Sequence, residues 1–530
     1  MHDIRHVIKG EVDSSSATLR AYSRDASIFE VTPKAVIYPK TTGDLKKLIN
    51  FVSTKKREGT DVSLTVRNAG TCMSGGPLNE SYIVDVSRHL NHIGHVDTEN
   101  RTVWVQGGAM HLELEKVTHP KKLLFAPYTS SRDICGIGGM LGNNASGEKS
   151  VKYGPTSRNV SKVKVALSDG EIYEFGPLTT KELNAKKQLP TFEGKLYREL
   201  TQLIEDNKNL IDQHHPRTVK NAAGYPLWEL WDAQQSHFNM ARLFVGSQGT
   251  LGIITEAKLK LIPMAKYQRM IVVPIETLAD LAMTVQTAMK HNPVTCETSD
   301  HHTYELAEKY HPEDAARAGA AKGKHMVVLV MFEGDTQAQA DRFATKAKQA
   351  MEKLGRTVEW IDDDAIAESF LLIRRKSFRM LLEHPAKNMR AMAFLEDTIV
   401  PLELYGEFLA ALEAILAQYD MVYTYAGHIG DGSIRLVPLV NMEAPGAAEK
   451  VMELETRVND LVIAMNGSIS VDHNDGIIRT PYLPQFFGEE MYTLFAKVKE
   501  LFDPLGIFNP GKKVGGSFEY ATAHIIRENT

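Results

Sequence analysis

Residues 467–476 read GSISVDHNDG: a short β-like run, then an acid, a histidine, an amide and a second acid before glycine. Histidine titrates near neutrality, so His473 could take a hydroxyl proton, and Asp472 beside it could orient a ring or help hold a metal. GHIGDGSIR, 427–435, places His428 before a Gly-Asp-Gly turn and ends on Arg435. Both stretches are turn-rich enough to bring polar groups to one cleft, and two polar loops closed by Asx turns are the plain alternative. A third group is SFLLIRRKSFR, 369–379. Read as a helix, it puts Arg375 and Arg379 on one face and turns Arg374 elsewhere, and by itself this is a solvated basic face.

Three glycine-rich stretches could receive a ligand. VRNAGTCMSGG, 66–76, follows a β run, and its small residues could present consecutive amide N–H groups to an anion. PYTSSRDICGIGGMLGNNASGEKSVKYG, 127–154, has few side chains to hold a planar or diphosphate ligand away. FVGSQGTLGIITEA, 244–257, is a Gly-Ser-Gln-Gly turn entering a strand. Each alone is a tight turn. Together they suggest an extended cofactor held mainly by backbone.

The elements that must position these groups fall into two textures. Up to about residue 262, short β-like segments alternate with glycine junctions, one helix is expected over TTGDLKKLINFVSTKK, and a hairpin turns at Asp169-Gly170. Beyond it, strand–helix–strand alternation runs through two rounds and predicts an antiparallel or mixed sheet with helices over one face. The fold class is α+β, with domains at 1–262 and 263–480 and a segment 481–530 returning to the first. The 530 residues carry a net charge of −5 and no basic field for nucleic acid. Apolar runs are too short to span a bilayer, and the polar start lacks a signal-peptide core. Cys72, Cys135 and Cys296 form neither a disulfide framework nor an iron–sulfur set. The expected location is cytoplasmic, with attachment at the inner face of a membrane left open.

RNAGTCMSGG, GIGGMLGNNASGEKSVKYG, GSQGTLGIITEA and FDPLGIFNPGKK occur in that order, and they resemble motifs of the vanillyl-alcohol oxidase/PCMH superfamily of FAD-linked oxidoreductases. The whole chain is similar to the glycolate oxidase GlcD/D-lactate dehydrogenase branch. That resemblance implies a PCMH-type FAD-binding domain, then a FAD-linked oxidase C-terminal domain with a ferredoxin-like antiparallel sheet and covering helices. It implies that Arg67, Asn68, Ala69, Gly70, Thr71, Gly75 and Gly76 grip the FAD diphosphate. Pro127, Gly138, Gly139, Gly142, Asn143, Asn144, Ser146, Gly147, Tyr153 and Gly154 would lie along pyrophosphate and isoalloxazine. Gly249, Ile254 and Asn509 would complete the cofactor site. Asn68–Thr71 offers no histidine for covalent attachment, and Cys72 reads as a small core cysteine, so the FAD is expected to be non-covalent.

GHIGDGSIR and SVDHNDG likewise resemble the branch's catalytic motifs. The resemblance makes His473 the base beside the flavin and puts His428 and Asp472 at two of three positions that ligate a divalent metal (Zn or Mn). Arg435 stands at the third, where a guanidinium has no lone pair to give. Arg374 matches the arginine that meets the substrate carboxylate, and one residue of slip would choose Arg375. Leu395 replaces a lysine found in some members, which argues against a simple transfer of 2-hydroxyglutarate specificity. The implied activity is FAD-dependent oxidation of a D-2-hydroxy acid, D-lactate or glycolate-like, to the 2-oxo acid. Electrons would pass to a quinone, a cytochrome, an electron-transfer flavoprotein or an iron–sulfur subunit, and a homodimer is open. The alternatives are oxidation of an aromatic alcohol or other carbinol, a flavin subunit of a larger redox complex, and a binding protein without flavin.

Overall fold

Strand 102–106, TVWVQ, turns Val103 and Val105 into the core and its other side chains outward, the period-two pattern of a half-buried strand. It joins an antiparallel sheet in the order 102–106, 253–260, 160–166, 172–175. The last two strands form the hairpin expected at Asp169-Gly170, and Gly170 takes the positive φ of +81° that the turn demands. A second, mixed sheet orders 11–13, 35–38, 82–85 and 64–67, with the last three strands parallel and 11–13 antiparallel at the edge. Helix 42–57 covers it, and the Thr41 side chain caps that helix by accepting from the Asp44 N–H. The computed structural model describes residues 4–319, 326–383, 388–419 and 421–528.

The second unit is one eight-stranded sheet. Its path runs 359–361, 267–275, 326–334, 295–300, 422–427, 433–440 and 390–391, with 395–399 also pairing to 433–440, and every pairing is antiparallel. Helices lie over both faces, which corrects the expectation of one. Ile271, Val273, Val328 and Val330 pack with helices 278–289 and 337–352, whereas Val272, Leu329 and Met331 pack with helices 301–310 and 364–382. The signal lay in the unbroken apolar runs MIVV and MVVLVMF, which mark strands buried on both faces. The run before His473 is also not a strand. Residues 468–471 make only an isolated bridge, Ser468 to Ile399, and are otherwise a loop.

The C-terminal segment lies on the first unit. Helix 489–502 packs its Met491, Leu494, Phe495 and Val498 with Leu196 and Leu200 of helix 192–206. The Leu64 N–H then donates to the Ile507 carbonyl at 2.7 Å. Among the described residues no helix is long and apolar enough to cross a membrane. The attachment at a membrane's inner face that was left open therefore has no spanning helix behind it among the described residues.

Candidate active site

Strands 64–67, 82–85 and 102–106 end at one cleft; the first and third are followed by small residues because their loops meet backbone to backbone, and Val86 after the second lies on the wall. Asn68 Nδ2 donates to the Gly107 carbonyl at 2.6 Å and ties the first loop to the third strand's end. A Cβ on Gly138 would stand 2.3 Å from the Gly107 carbonyl oxygen, so only glycine fits there. The cleft encloses about 760 Å³, its open mouth included. Arg67, Asn68, Ala69, Gly70, Thr71, Gly76, Gly138, Gly139, Gly142, Asn143, Gly249 and Ile254 line it, as do Val66, Cys72, Pro77, Val86, Gly107, Gly136 and Gln248, which the motifs had not assigned to the cofactor.

Eight residues matched to the cofactor by motif lie off these walls, and two of them, Ser146 and Gly147, line an adjoining cleft. Gly75 meets Phe29 and Ile477. Pro127 is buried off the walls. Asn144 Oδ1 accepts from the Ser157 N–H, and Tyr153 donates to Glu333 across the domain junction. Gly154 turns against Arg158. Asn509 braces the cleft from behind, donating to the carbonyls of Gly76 and Gln248 at 3.0 and 2.7 Å.

The residues present fit a dinucleotide. A Cβ on Gly139 would meet nothing within 4 Å, so the missing side chain leaves open space, and Asn68 Oδ1 is buried without a partner. Gln248 uses both ends of its amide: Oε1 accepts from the Gly476 N–H at 2.8 Å and Nε2 donates to Asn143 Oδ1 at 3.2 Å. Cys72 lines the cleft, and burial raises its thiol above the ordinary value, which disfavours the thiolate.

A second cleft of about 1170 Å³, mouth included, adjoins the first and shares Thr71, Gly139 and Asn143 with it. Ser146 and Gly147 line it from the first unit, and His428, Arg435, Asp472 and His473 line it from the second. The loop carrying His473 is clasped by one carboxylate: the N–H groups of Val471, Asp472 and His473 donate to Asp397 at 2.8, 2.8 and 3.0 Å. His473 Nδ1 is hydrogen-bonded to Glu396 Oε2, and Arg479 Nη2 donates to Glu396 Oε1 at 2.7 Å.

Arg435 Nη2 donates to Asp472 Oδ2 at 2.8 Å and lies 3.3 Å from His428 Nε2. His428 Nδ1 is 2.7 Å from Glu297 Oε1. Burial, then the nearby Arg374 and Arg435, hold His428 well below its ordinary value, so it is neutral. Its Nδ1–H donates to Glu297, and its Nε2 lone pair faces the guanidinium. His428 and Asp472 therefore do not fit as a metal pair, because Arg435 already lies against the atoms a metal would need.

Lys220 carried no signal in the motif reading. Its Nζ is buried 3.0 Å from Asp431 Oδ2, 3.2 Å from Asp472 Oδ1 and 2.9 Å from Ser146 Oγ, to which it donates. Burial pulls the ammonium down, but the two carboxylates outweigh it and the group stays charged, raised above its usual value. Ser146 also donates to Asp472, so Lys220 joins both units at the site.

Arg374 is not on the cleft wall. Its Nε lies 2.5 Å from Glu297 Oε2 and its Nη1 donates to Ser130 Oγ at 3.1 Å, one layer behind the lining. Arg375, Lys376 and Arg379 line the cleft instead, Arg375 held by Glu148 at 2.7 Å and Glu368 at 2.8 Å. The basic face read from sequence is thus solvated only at Arg379, whose side chain is 77% exposed. Leu395 lies in the core against Leu436.

A family model described as FAD binding domain matches residues 33–176, and one described as FAD linked oxidases, C-terminal domain, matches 264–513. The D-2-hydroxyglutarate dehydrogenase of Pseudomonas putida is 30% identical over 519 residues, 95% of this chain and 50% of that protein. Glycolate oxidase subunit GlcD of Bacillus subtilis is 29% identical over 94% of this chain and 93% of its own. The chain thus spans about half the length of the D-2-hydroxyglutarate dehydrogenases it matches. Among solved structures, 4-ethylphenol oxidase from Gulosibacter chungangensis superposes with a TM-score of 0.71 at 16% identity, covering 98% of this chain and 97% of that one. Both domain models match in order, around a cleft built for a dinucleotide: the chain carries a PCMH-type FAD-binding domain followed by a C-terminal domain of the FAD-linked oxidases, and it is similar to GlcD and the D-2-hydroxyglutarate dehydrogenases.

Proposed function

We propose that the chain binds FAD non-covalently in the glycine-lined cleft and oxidises a small D-2-hydroxy acid, of the D-lactate or glycolate kind, in the cleft beside it. The observation that carries this reading is the pairing of His473 with Arg435 on the wall of a cleft that shares Thr71, Gly139 and Asn143 with the first. FAD when bound supplies the two-electron acceptor for the hydride of the α-carbon. The remaining work falls to the chain's own residues. The Arg435 guanidinium, charged at any working pH, attracts the substrate carboxylate and is held in place by Asp472. His473, with Nδ1 engaged by Glu396, has Nε2 left to accept the hydroxyl proton. Arg374 supports this wall through Glu297 and does not meet the substrate. No metal is required, because Arg435 supplies the positive charge beside His428 and Asp472.

One observation favours a second substrate. Lys376 and Arg379 line the same cleft with Arg435, so a 2-hydroxy dicarboxylate would find cations for both ends, in keeping with the relatives named D-2-hydroxyglutarate dehydrogenase. Leu395 does not count against it, since that side chain is in the core. Electrons then pass to a non-nicotinamide acceptor, with a quinone, a cytochrome, an electron-transfer flavoprotein and an iron–sulfur partner as the classes to try. Anaerobic mixing of the holoprotein with D- and L-lactate, glycolate and D-2-hydroxyglutarate tests the reading by bleaching of the visible flavin band. Bleaching by a D-2-hydroxy acid is expected. Bleaching only by aromatic alcohols would overturn it.

A further inference from the structure

Residues 394–401, FLEDTIVP, bring two adjacent acids to one loop by different routes. In strand 395–399 neighbouring side chains ordinarily leave on opposite faces, yet both carboxylates reach the His473 loop. The ladder to 433–440 slips between Leu395 and Thr398, and that irregularity frees the two acids to point the same way. Asp397 holds backbone. Glu396 holds the ring.

We propose that Glu396 is the positioning residue for the base: it fixes His473 in the tautomer with the proton on Nδ1, so that the lone pair of Nε2 is presented to the substrate hydroxyl, and Arg479 locks Glu396 in that role. The inference rests on His473 acting as the base. Glu396 is fully buried and accepts from both neighbours, one oxygen to each. A carboxylate can do this because both of its oxygens accept, whereas an amide has one acceptor and one donor end. Burial alone would raise the Glu396 carboxyl, but His473 and then Arg479 outweigh it and hold it down at about 2, so it stays an acceptor at working pH.

The other charged groups around the pair are consistent with this assignment. Asp397 accepts from three backbone N–H groups, and its Oδ1 lies 3.8 Å from His473 Nδ1, outside hydrogen-bond reach, while Asp472 is shared by Arg435 and Lys220. Glu455 faces Arg479 from helix 447–464, and burial keeps its carboxyl protonated, well above the usual range, so it does not compete for the guanidinium as an anion. As His473 takes the hydroxyl proton on Nε2 it becomes an imidazolium, and the Glu396 carboxylate lies directly against the positive charge that forms. The proton stays on the ring and Glu396 remains ionised.

Glu396→Gln in the holoprotein tests this. Gln cannot accept from His473 and Arg479 at once, so anaerobic flavin reduction by 2-hydroxy acid should slow at least about 100-fold, the scale of a lost general-base alignment. The pH midpoint of the reduction rate should move to lower pH, since the imidazolium has lost its hydrogen-bonded anion and keeps only Asp397 at 3.8 Å, and Glu396→Asp should recover part of the rate. An unchanged rate, or a slow variant with an unmoved pH midpoint, overturns the proposal. Should Glu396→Gln not fold, wild type labelled with [15N]histidine and assigned with His473→Gln decides: Nδ1–H supports the proposal and Nε2–H overturns it. That tautomer is read independently of catalysis. Failure of the base reading itself would show as undiminished flavin reduction in His473→Gln.

Discussion

Lys220→Met removes one ammonium and leaves a side chain of similar reach. Four contacts disappear: Asp431 at 3.0 Å, Asp472 at 3.2 Å, Ser146 at 2.9 Å and Ser150 at 3.4 Å. At such distances each ion pair is worth about 5 kcal/mol with an effective dielectric near 20. The ammonium's own desolvation offsets much of that sum, and breaking a buried pair by deleting one partner typically costs about 3–5 kcal/mol. The loss should depend on pH. In the wild type, burial would raise Asp472, but Lys220 and Arg435 hold it well below the usual carboxylate range. Its contribution is therefore present above the unfolded value of about 3.9 and lost as pH falls through the folded one. In the variant two buried carboxylates have lost their shared cation and at least one is driven up. Its folded form then binds a proton that the unfolded chain releases, so the variant loses stability as pH rises from about 4 to that raised value. Urea unfolding of holoprotein and variant should show the full deficit at pH 8 and about 1–3 kcal/mol less at pH 5. A deficit below about 1 kcal/mol at pH 8, or one that grows toward pH 5, would refute the placement of Lys220 between the two acids.

Gly139→Leu should fold, because residue 139 lies inside helix 137–143 and leucine favours helix, yet its side chain would enter the shared edge of both clefts. Flavin content after purification should fall at least about tenfold while the far-ultraviolet circular dichroism is unchanged; a fully yellow variant would contradict the cofactor assignment. Dialysis against EDTA should leave flavin content and the reduction rate unaltered, since Arg435 stands against His428 and Asp472, and loss of activity restored by Zn or Mn would reverse that conclusion.

The parts of the site legible in sequence were those where the residue type is dictated locally. Gly138 must be glycine because of the Gly107 carbonyl, and the N-cap threonines before helices 42–57 and 278–289 announce their helices. His473 stood out through its motif, SVDHNDG, because by itself an acid and a histidine in a turn are as readily an ordinary polar loop. Lys220 and Glu396 did not, because their meaning lies in partners 252 and 77 residues away, and nothing local sets apart a lysine in TVKNAAGY or an acid in FLEDTIVP. The arginine helix shows the limit most clearly. A helical wheel separates Arg374 from Arg375, but only packing against Glu297 and Glu148 decides which one reaches the cleft. The covering of both sheet faces was present in MVVLVMF and was misread because alternating elements, rather than continuous burial, were taken as the guide.

The most direct measurement is anaerobic flavin reduction in His473→Gln beside wild type, with the substrate that bleaches the wild-type flavin. The account predicts retained FAD and a reduction rate slower by about 100-fold or more, the range of a missing general base. Reduction at the wild-type rate in a fully loaded variant would contradict it.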